Sequence, residues 1–141
     1  EFLANRGLSK SFRHALTPLP CTVAYHDACH MIHGQGIAAQ PRDLLHAIPQ
    51  LRLKEATEAG VCCGSAGIYN LVQPDEAAAL GQLKADDLSN TGAEIVASAN
   101  IGCSLQLRRY LSQDGPKVEH PMELLARSAG VGPFSATPSR S

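Results

Sequence analysis

Short apolar runs alternate with stretches of helical spacing along most of this chain. Thr22 to Tyr25 (Thr-Val-Ala-Tyr) reads as a buried strand, and Leu51 to Glu55 alternates apolar and polar residues as a strand does. Glu94 to Ser98 reads as a third strand and Lys117 to Glu119 as a weak fourth. Helical patterns fill the gaps. Pro41 suits a first helical position, with Leu44, Leu45 and Ile48 on one face and Pro49 as the stop. Pro74 opens a second helix, Asp75 and Glu76 favour the positive end of its dipole, and Asn90-Thr91-Gly92 ends it. Its apolar stripe is predicted to be Leu80, Leu83 and Leu88. A third helix is expected near Cys103 with Leu107, Tyr110 and Leu111 inward, and a fourth from Pro121 with Leu124 and Leu125 inward. No internal repeat is visible. The alternation predicts a single α/β domain, a mostly parallel sheet of about four strands with helices on both faces.

At 141 residues the chain is long enough to bury a core of its own. It starts at Glu1 in mid-pattern, so residues 1–20 are expected to be a partial N-terminal segment of a longer chain. Residues 21–128 form the expected domain, and the Gly/Pro/Ser-rich 129–141 is expected to be a disordered tail. The net charge of −1 and an aromatic content of 4% give no basis for nucleic-acid binding. The longest charge-free stretch, Ala59 to Pro74, is too short and too polar to span a bilayer, and no signal peptide is seen.

The candidate chemistry lies in the cysteines. There are 5, an odd number whose spacing is unlike a secreted disulfide framework, which favours a reducing compartment. Cys62 and Cys63 are adjacent and run into Gly64-Ser65-Ala66-Gly67, with 32 residues between Cys29 and Cys62 and 39 between Cys63 and Cys103. Each of these cysteines follows a predicted strand and precedes or opens a helix. In a parallel sheet such loops leave from one edge, so Cys29, Cys62, Cys63 and Cys103 are expected to converge there. Thiolates suit zinc, copper(I) and iron–sulfur clusters. Cys103, at a helix start, is expected to have a lowered thiol pKa. Gly64, Gly67 and Gly102 let backbone N–H groups approach bound sulfur. His26, His30 and His33 crowd around Cys29 as ligands or outer donors, and Asp27 either caps a turn or orients a histidine. Cys21 reads as an inert small residue, and Arg108 and Arg109 as a solvated helix face. Ser65 lacks the spacing of a nucleophile elbow, and the glycines fit no phosphate loop.

The run Cys29, Cys62-Cys63-Gly64 and Asn100-Ile101-Gly102-Cys103 resembles the cysteine-rich CCG domain. That domain occurs in heterodisulfide reductases, in lactate-utilisation and anaerobic glycerol-3-phosphate dehydrogenase subunits, and in the glycolate oxidase iron–sulfur subunit. Tyr25-His26-Asp27-Ala28-Cys29-His30, His33-Gly34-Gln35-Gly36-Ile37, Cys62 to Leu71 and His120 to Ala126 are most similar to the last of these. The resemblance implies an oxidoreductase subunit that carries electrons from glycolate oxidised on FAD in partner subunits towards the quinone pool. Its setting would be the cytoplasm, peripheral on the inner membrane. It implies [4Fe–4S] clusters in the full subunit and, in this domain, Cys29, Cys62, Cys63 and Cys103 as ligands. His26, His30, His33 and Asn100 would stand around them. Asn100 replaces the first cysteine of the family's closing Cys-x-x-Cys, leaving four thiols where a non-cubane cluster uses five. A cubane cluster, a zinc ion or an empty structural site therefore remains open, as do a structural zinc module, a thiol–disulfide domain, and the matching subunit of a lactate, other 2-hydroxy-acid or heterodisulfide reductase-like complex.

Overall fold

The computed structural model describes residues 8–131. Its strands are β1 Thr22–His26, β2 Arg52–Lys54, β3 Ile95–Ser98 and β4 Lys117–Glu119. They form one all-parallel sheet in the order β2-β1-β3-β4, so the predicted α/β class holds, the weak fourth strand included. Among the described residues seven helices accompany them: α1 Lys10–Ala15, α2 Cys29–Gln35, α3 Ala39–His46, α4 Tyr69–Val72, α5 Pro74–Asn90, α6 Ile101–Tyr110 and α7 Pro121–Ser128. The expected 129–141 tail falls, from residue 132 onward, outside the described residues, as do residues 1–7 of the expected N-terminal segment.

Strand alternation divides the core in two. Val23, Tyr25, Ile95 and Ala97 face one way, onto Leu45 and Ile48 in and after α3 and onto Leu124 and Leu125 of α7. Leu8, Phe12 and Leu19 pack on the margin of this layer. Ala24 and Val96 face the other way, onto Leu88 of α5, Leu107 of α6, and Cys63 and Cys103. Helices thus cover both faces.

The face α5 turns inward differs from the predicted stripe. Leu83 is 51% exposed, and Ala77, Gly81, Lys84, Ala85 and Leu88 are buried instead. The cause is the closeness of α6. A Cβ on Gly81 would lie 2.5 Å from the Tyr110 ring, and Gln106 donates to Ala77 O at 3.1 Å. Small residues allow that approach, and bulk at position 83 is left outside.

The sheet order matters for function. From β1 the chain runs to β2 on one side, then crosses back to β3 on the other side of β1. Connections therefore diverge at the carboxyl ends of β1 and β3. A crevice opens at such a switch point, and ligands of open α/β sheets bind there.

Candidate metal centre

Two strand ends make the floor of that crevice. His26 closes β1 and is in register with Ser98 at the end of β3. Alternation along each strand turns both side chains to the α5–α6 side, the side of Ala24 and Val96. Ser98 Oγ donates to Asn100 O at 3.5 Å and lies 3.3 Å from His26 Nδ1. With its hydrogen directed to Asn100, the hydroxyl accepts from Nδ1–H, and the imidazole lone pair is left on Nε2. Nε2 is buried and has no hydrogen-bond partner among the described residues.

The thiols arrive on loops and helix starts. Cys103 is the third residue of α6, and Asn100 caps this helix by accepting the Cys103 N–H at 2.9 Å. Cys62 and Cys63 sit in the loop between β2 and α4. That loop turns at Gly64, whose φ of +79° lies in the left-handed region glycine adopts without penalty. A Cβ there would meet Ala77 O of α5 at 2.5 Å. Cys29 opens α2.

A ring nitrogen of His26 and the Sγ atoms of Cys63 and Cys103 lie within 4.8 Å of one another, and all three residues are buried. Ser65 Oγ lies 3.3 Å from Cys63 Sγ and donates to Cys103 Sγ at 3.5 Å. Beside this group Cys29 Sγ lies 3.9 Å from Cys62 Sγ, which also accepts the Gly64 N–H at 3.4 Å. The structure thus brings together His26, Cys63 and Cys103, with Cys29 and Cys62 as a neighbouring pair. His30 and His33 are exposed on α2 and outside the group. Cys21 precedes β1, at the end of the strand away from the crevice, and packs on the other core layer.

The two buried thiols share charge. A hydrogen bond from Cys103 pulls the Cys63 thiol far below its ordinary value against the opposing effect of burial, helped by Ser65. The same hydrogen bond holds the Cys103 proton and pushes that thiol up, and burial adds to the effect. The expectation that the helix start would activate Cys103 is therefore corrected: the anion settles on Cys63, because one buried thiolate opposes formation of a second beside it. Burial raises the Cys62 thiol, partly offset by the Gly64 N–H.

Two polar clamps hold the loops. Buried Lys84 of α5 donates to Glu58 O and lies 3.8 Å from Asp87, whose carboxylate accepts the Thr57 and Glu58 N–H groups. Burial lowers the Lys84 pKa, with Asp87 opposing. Together these contacts fasten the loop that leads into Cys62 to α5. Among the described residues Asp27, at the end of β1, neither caps a turn nor orients a histidine. It binds the Arg42 guanidinium at 2.9 and 2.6 Å, and the same fork reaches Glu55 at 2.9 and 2.8 Å. The sequence signals for these clamps are faint. Lys84 turns inward because α6 packs so close to α5, and Asp27 and Arg42 meet only once α3 is placed beside the end of β1. Ser65, which lacks the setting of a nucleophile, bridges two thiols instead.

The donor set fits a borderline-soft transition metal. Four ligands about 2.3 Å from a tetrahedral ion stand about 3.8 Å apart, close to the 3.9 Å between Cys29 and Cys62. The orphaned Nε2 and the glycine turn under the thiols complete the case for a metal-capable site.

Strand order and thiol placement define a doubly wound α/β domain with a cysteine-rich centre at its switch point. The chain belongs to the CCG cysteine-rich domain family, which matches residues 23–108. It is 34% identical over 128 residues to a fumarate reductase (CoM/CoB) subunit of Methanothermobacter marburgensis, covering 89% of this chain and 25% of that protein. It is 34% identical over 115 residues to the probable glycolate oxidase iron-sulfur subunit of Bacillus subtilis, covering 79% and 26%. A third relative is a dihydromethanophenazine:CoB--CoM heterodisulfide reductase subunit of Methanosarcina barkeri, 34% identical over 120 residues, 81% of this chain and 29% of that protein. The chain thus spans about a quarter of the length of these relatives. No helix among the described residues is long and apolar enough to cross a membrane.

Proposed function

We propose that this domain is part of an iron–sulfur electron-transfer subunit of a glycolate-oxidising complex, with FAD in partner subunits and the quinone pool as eventual acceptor. The relatives are named as subunits of oxidoreductases, one of them a probable glycolate oxidase iron-sulfur subunit, and the glycolate-type motif around His26 and Cys29 supports the finer reading. The observation that carries it is the convergence of four thiols from three loops on one switch-point crevice. Cys29, Cys62, Cys63 and Cys103 are the proposed holders of the centre, and a bound cluster would supply one-electron storage between flavin and quinone. The chain's own part is to fix the thiols and to direct the Gly64 N–H at sulfur. Ile68, Leu71 and Val72 on one cysteine segment and Ile101 and Leu105 on another are all well exposed. Exposed aliphatics on the segments that bear the thiols supply a docking face for the partner subunits, placed where electrons must cross. The complex would work in the cytoplasm, peripheral to the inner membrane.

Anaerobic purification followed by iron, sulfide and zinc determination tests this. Iron and sulfide bound to the chain are expected, with Cys62→Ser and Cys103→Ser lowering the content and Cys21→Ser leaving it unchanged. A colourless protein with stoichiometric zinc would refute electron carriage by this domain. Equal loss in the Cys21→Ser variant would refute the ligand set.

A further inference from the structure

We propose that His26 is a direct metal ligand, binding through Nε2 the same metal atom that Cys63 and Cys103 hold. The inference rests on the reading that the switch-point thiols bind metal, and it changes what that metal meets: one neutral nitrogen in a set otherwise made of thiolates.

Two independent observations point to it. A ring nitrogen of His26 and the two sulfurs fall within 4.8 Å of one another. The edge of a tetrahedral ion's ligand shell is about 3.8 Å, so three donors this close fit a single metal atom after small adjustments. Separately, His26 is 2% exposed, yet Nε2 has no hydrogen-bond partner among the described residues. Leaving a buried ring nitrogen unpaired costs about 1–3 kcal/mol, and coordination removes that cost. The other face of the ring is already arranged for the role. Nδ1 meets Ser98 Oγ at 3.3 Å, and Ser98 in turn meets Asn100 O at 3.5 Å. A ligating histidine almost always donates its second N–H in this manner, which fixes the tautomer and the ring plane. Asn100 is already engaged as the cap of α6, so its side chain serves the helix, and the imidazole supplies the donor beside Cys103.

The metal is a tetrahedral, borderline-soft transition ion, either an iron of a cluster or a lone zinc(II). Replacing thiolate by imidazole removes one negative charge from the ligand shell and raises the potential of an iron centre. His30 and His33, exposed on α2, take no part.

X-ray absorption on the chain tests this, in one arm loaded anaerobically with ferrous iron and sulfide and in the other with zinc(II) alone. The wild-type spectrum is expected to show a nitrogen shell with imidazole outer-shell scattering. That signal is expected to vanish in His26→Cys, a variant that keeps a metal-binding donor, and to persist in the His30→Gln/His33→Gln double variant. His26→Gln is expected to weaken zinc binding at least about tenfold, the lower end of what even an indirect ligand contact contributes. A signal in only one arm identifies the metal that carries the site. Iron bound with an all-sulfur shell would overturn the His26 assignment and leave the electron-transfer reading standing. Zinc uptake with nitrogen, and no iron uptake, would do the reverse. A nitrogen signal that survives His26→Cys would also overturn the assignment, and a chain that takes up neither metal would overturn both.

Discussion

Substituting the glycine between the thiols and α5 gives the sharpest check on the site's geometry. Gly64 combines a φ of +79° with a backbone carbonyl, Ala77 O, 2.5 Å from where a Cβ would stand. Forcing a non-glycine residue into the left-handed region costs about 1–2 kcal/mol, and overpacking a filled core adds about 1–3 kcal/mol. Gly64→Ala is therefore expected to destabilise by about 2–5 kcal/mol. At about 4 °C per kcal/mol for a chain of this size, melting should fall by about 8–20 °C. Two other glycines separate the contributions. Gly67 has a φ of +51° and open space around it, so Gly67→Ala carries only the backbone cost, about 1–2 kcal/mol. Gly34 lies inside α2 with open space and no positive φ, and Gly34→Ala should stabilise by about 0.5–1 kcal/mol. Thermal denaturation followed by circular dichroism, with urea unfolding as a second measure, orders the three. If Gly64→Ala melts together with Gly67→Ala, the close approach of the thiol turn to α5 is wrong, and so is the crevice built on it.

Two further outcomes follow from the ionisable groups. Burial, with Asp27 adding to it, lifts the Tyr25 phenol from its ordinary 10 to about 12. Its proton is held more tightly folded than unfolded, so this contribution is intact below pH 10 and is lost as pH rises towards 12. Tyr25→Phe should flatten that alkaline fall in melting temperature, and an unchanged slope would refute the burial argument. Arg42→Gln leaves Asp27, 4% exposed, without its cation and should cost about 3 kcal/mol in urea unfolding. Arg42→Lys should recover less than half, because a point charge cannot span Asp27 and Glu55 as the fork does, and full recovery would show that charge alone suffices.

Much of the fold was legible in the chain. Thr22–Tyr25 and Glu94–Ser98 are apolar enough to announce central strands, and Pro74, Asp75, Glu76 and Gly92 mark both ends of α5 by chemistry that acts locally. The convergence of the cysteines followed from topology. What stayed hidden depended on neighbours distant in sequence. Ala28 at the start of α2 offers no capping side chain, so that helix leaves little trace. Leu83 looked inward by spacing, but the closeness of α6 gives its place to Gly81 and Lys84. Among three nearby histidines, only strand parity and the partner strand's Ser98 single out His26. The thiol that keeps the charge depends on a contact between Cys63 and Cys103, which local dipole reasoning at Cys103 does not see.

The two sides of the sheet are filled unequally, and this bears on how the molecule breathes. Tyr25, Leu45, Ile48, Leu124 and Leu125 interlock on the α3–α7 side, whereas the side that carries the donors mixes Leu88, Val96 and Leu107 with Ala24, Ala28 and Ala93. Each large buried side chain is worth about 1.5–3 kcal/mol and an alanine far less, so for the loops bearing Cys29 and Cys62 to lift while the heavier layer stays closed, the polar clamps at Lys84 and Arg42 must release first. An opening confined to those loops would be sub-global, with a free energy below that of unfolding. A metal or an inorganic sulfide could then enter and leave a folded protein, and the rate of loading would be set by the lifting of two loops rather than by the stability of the domain.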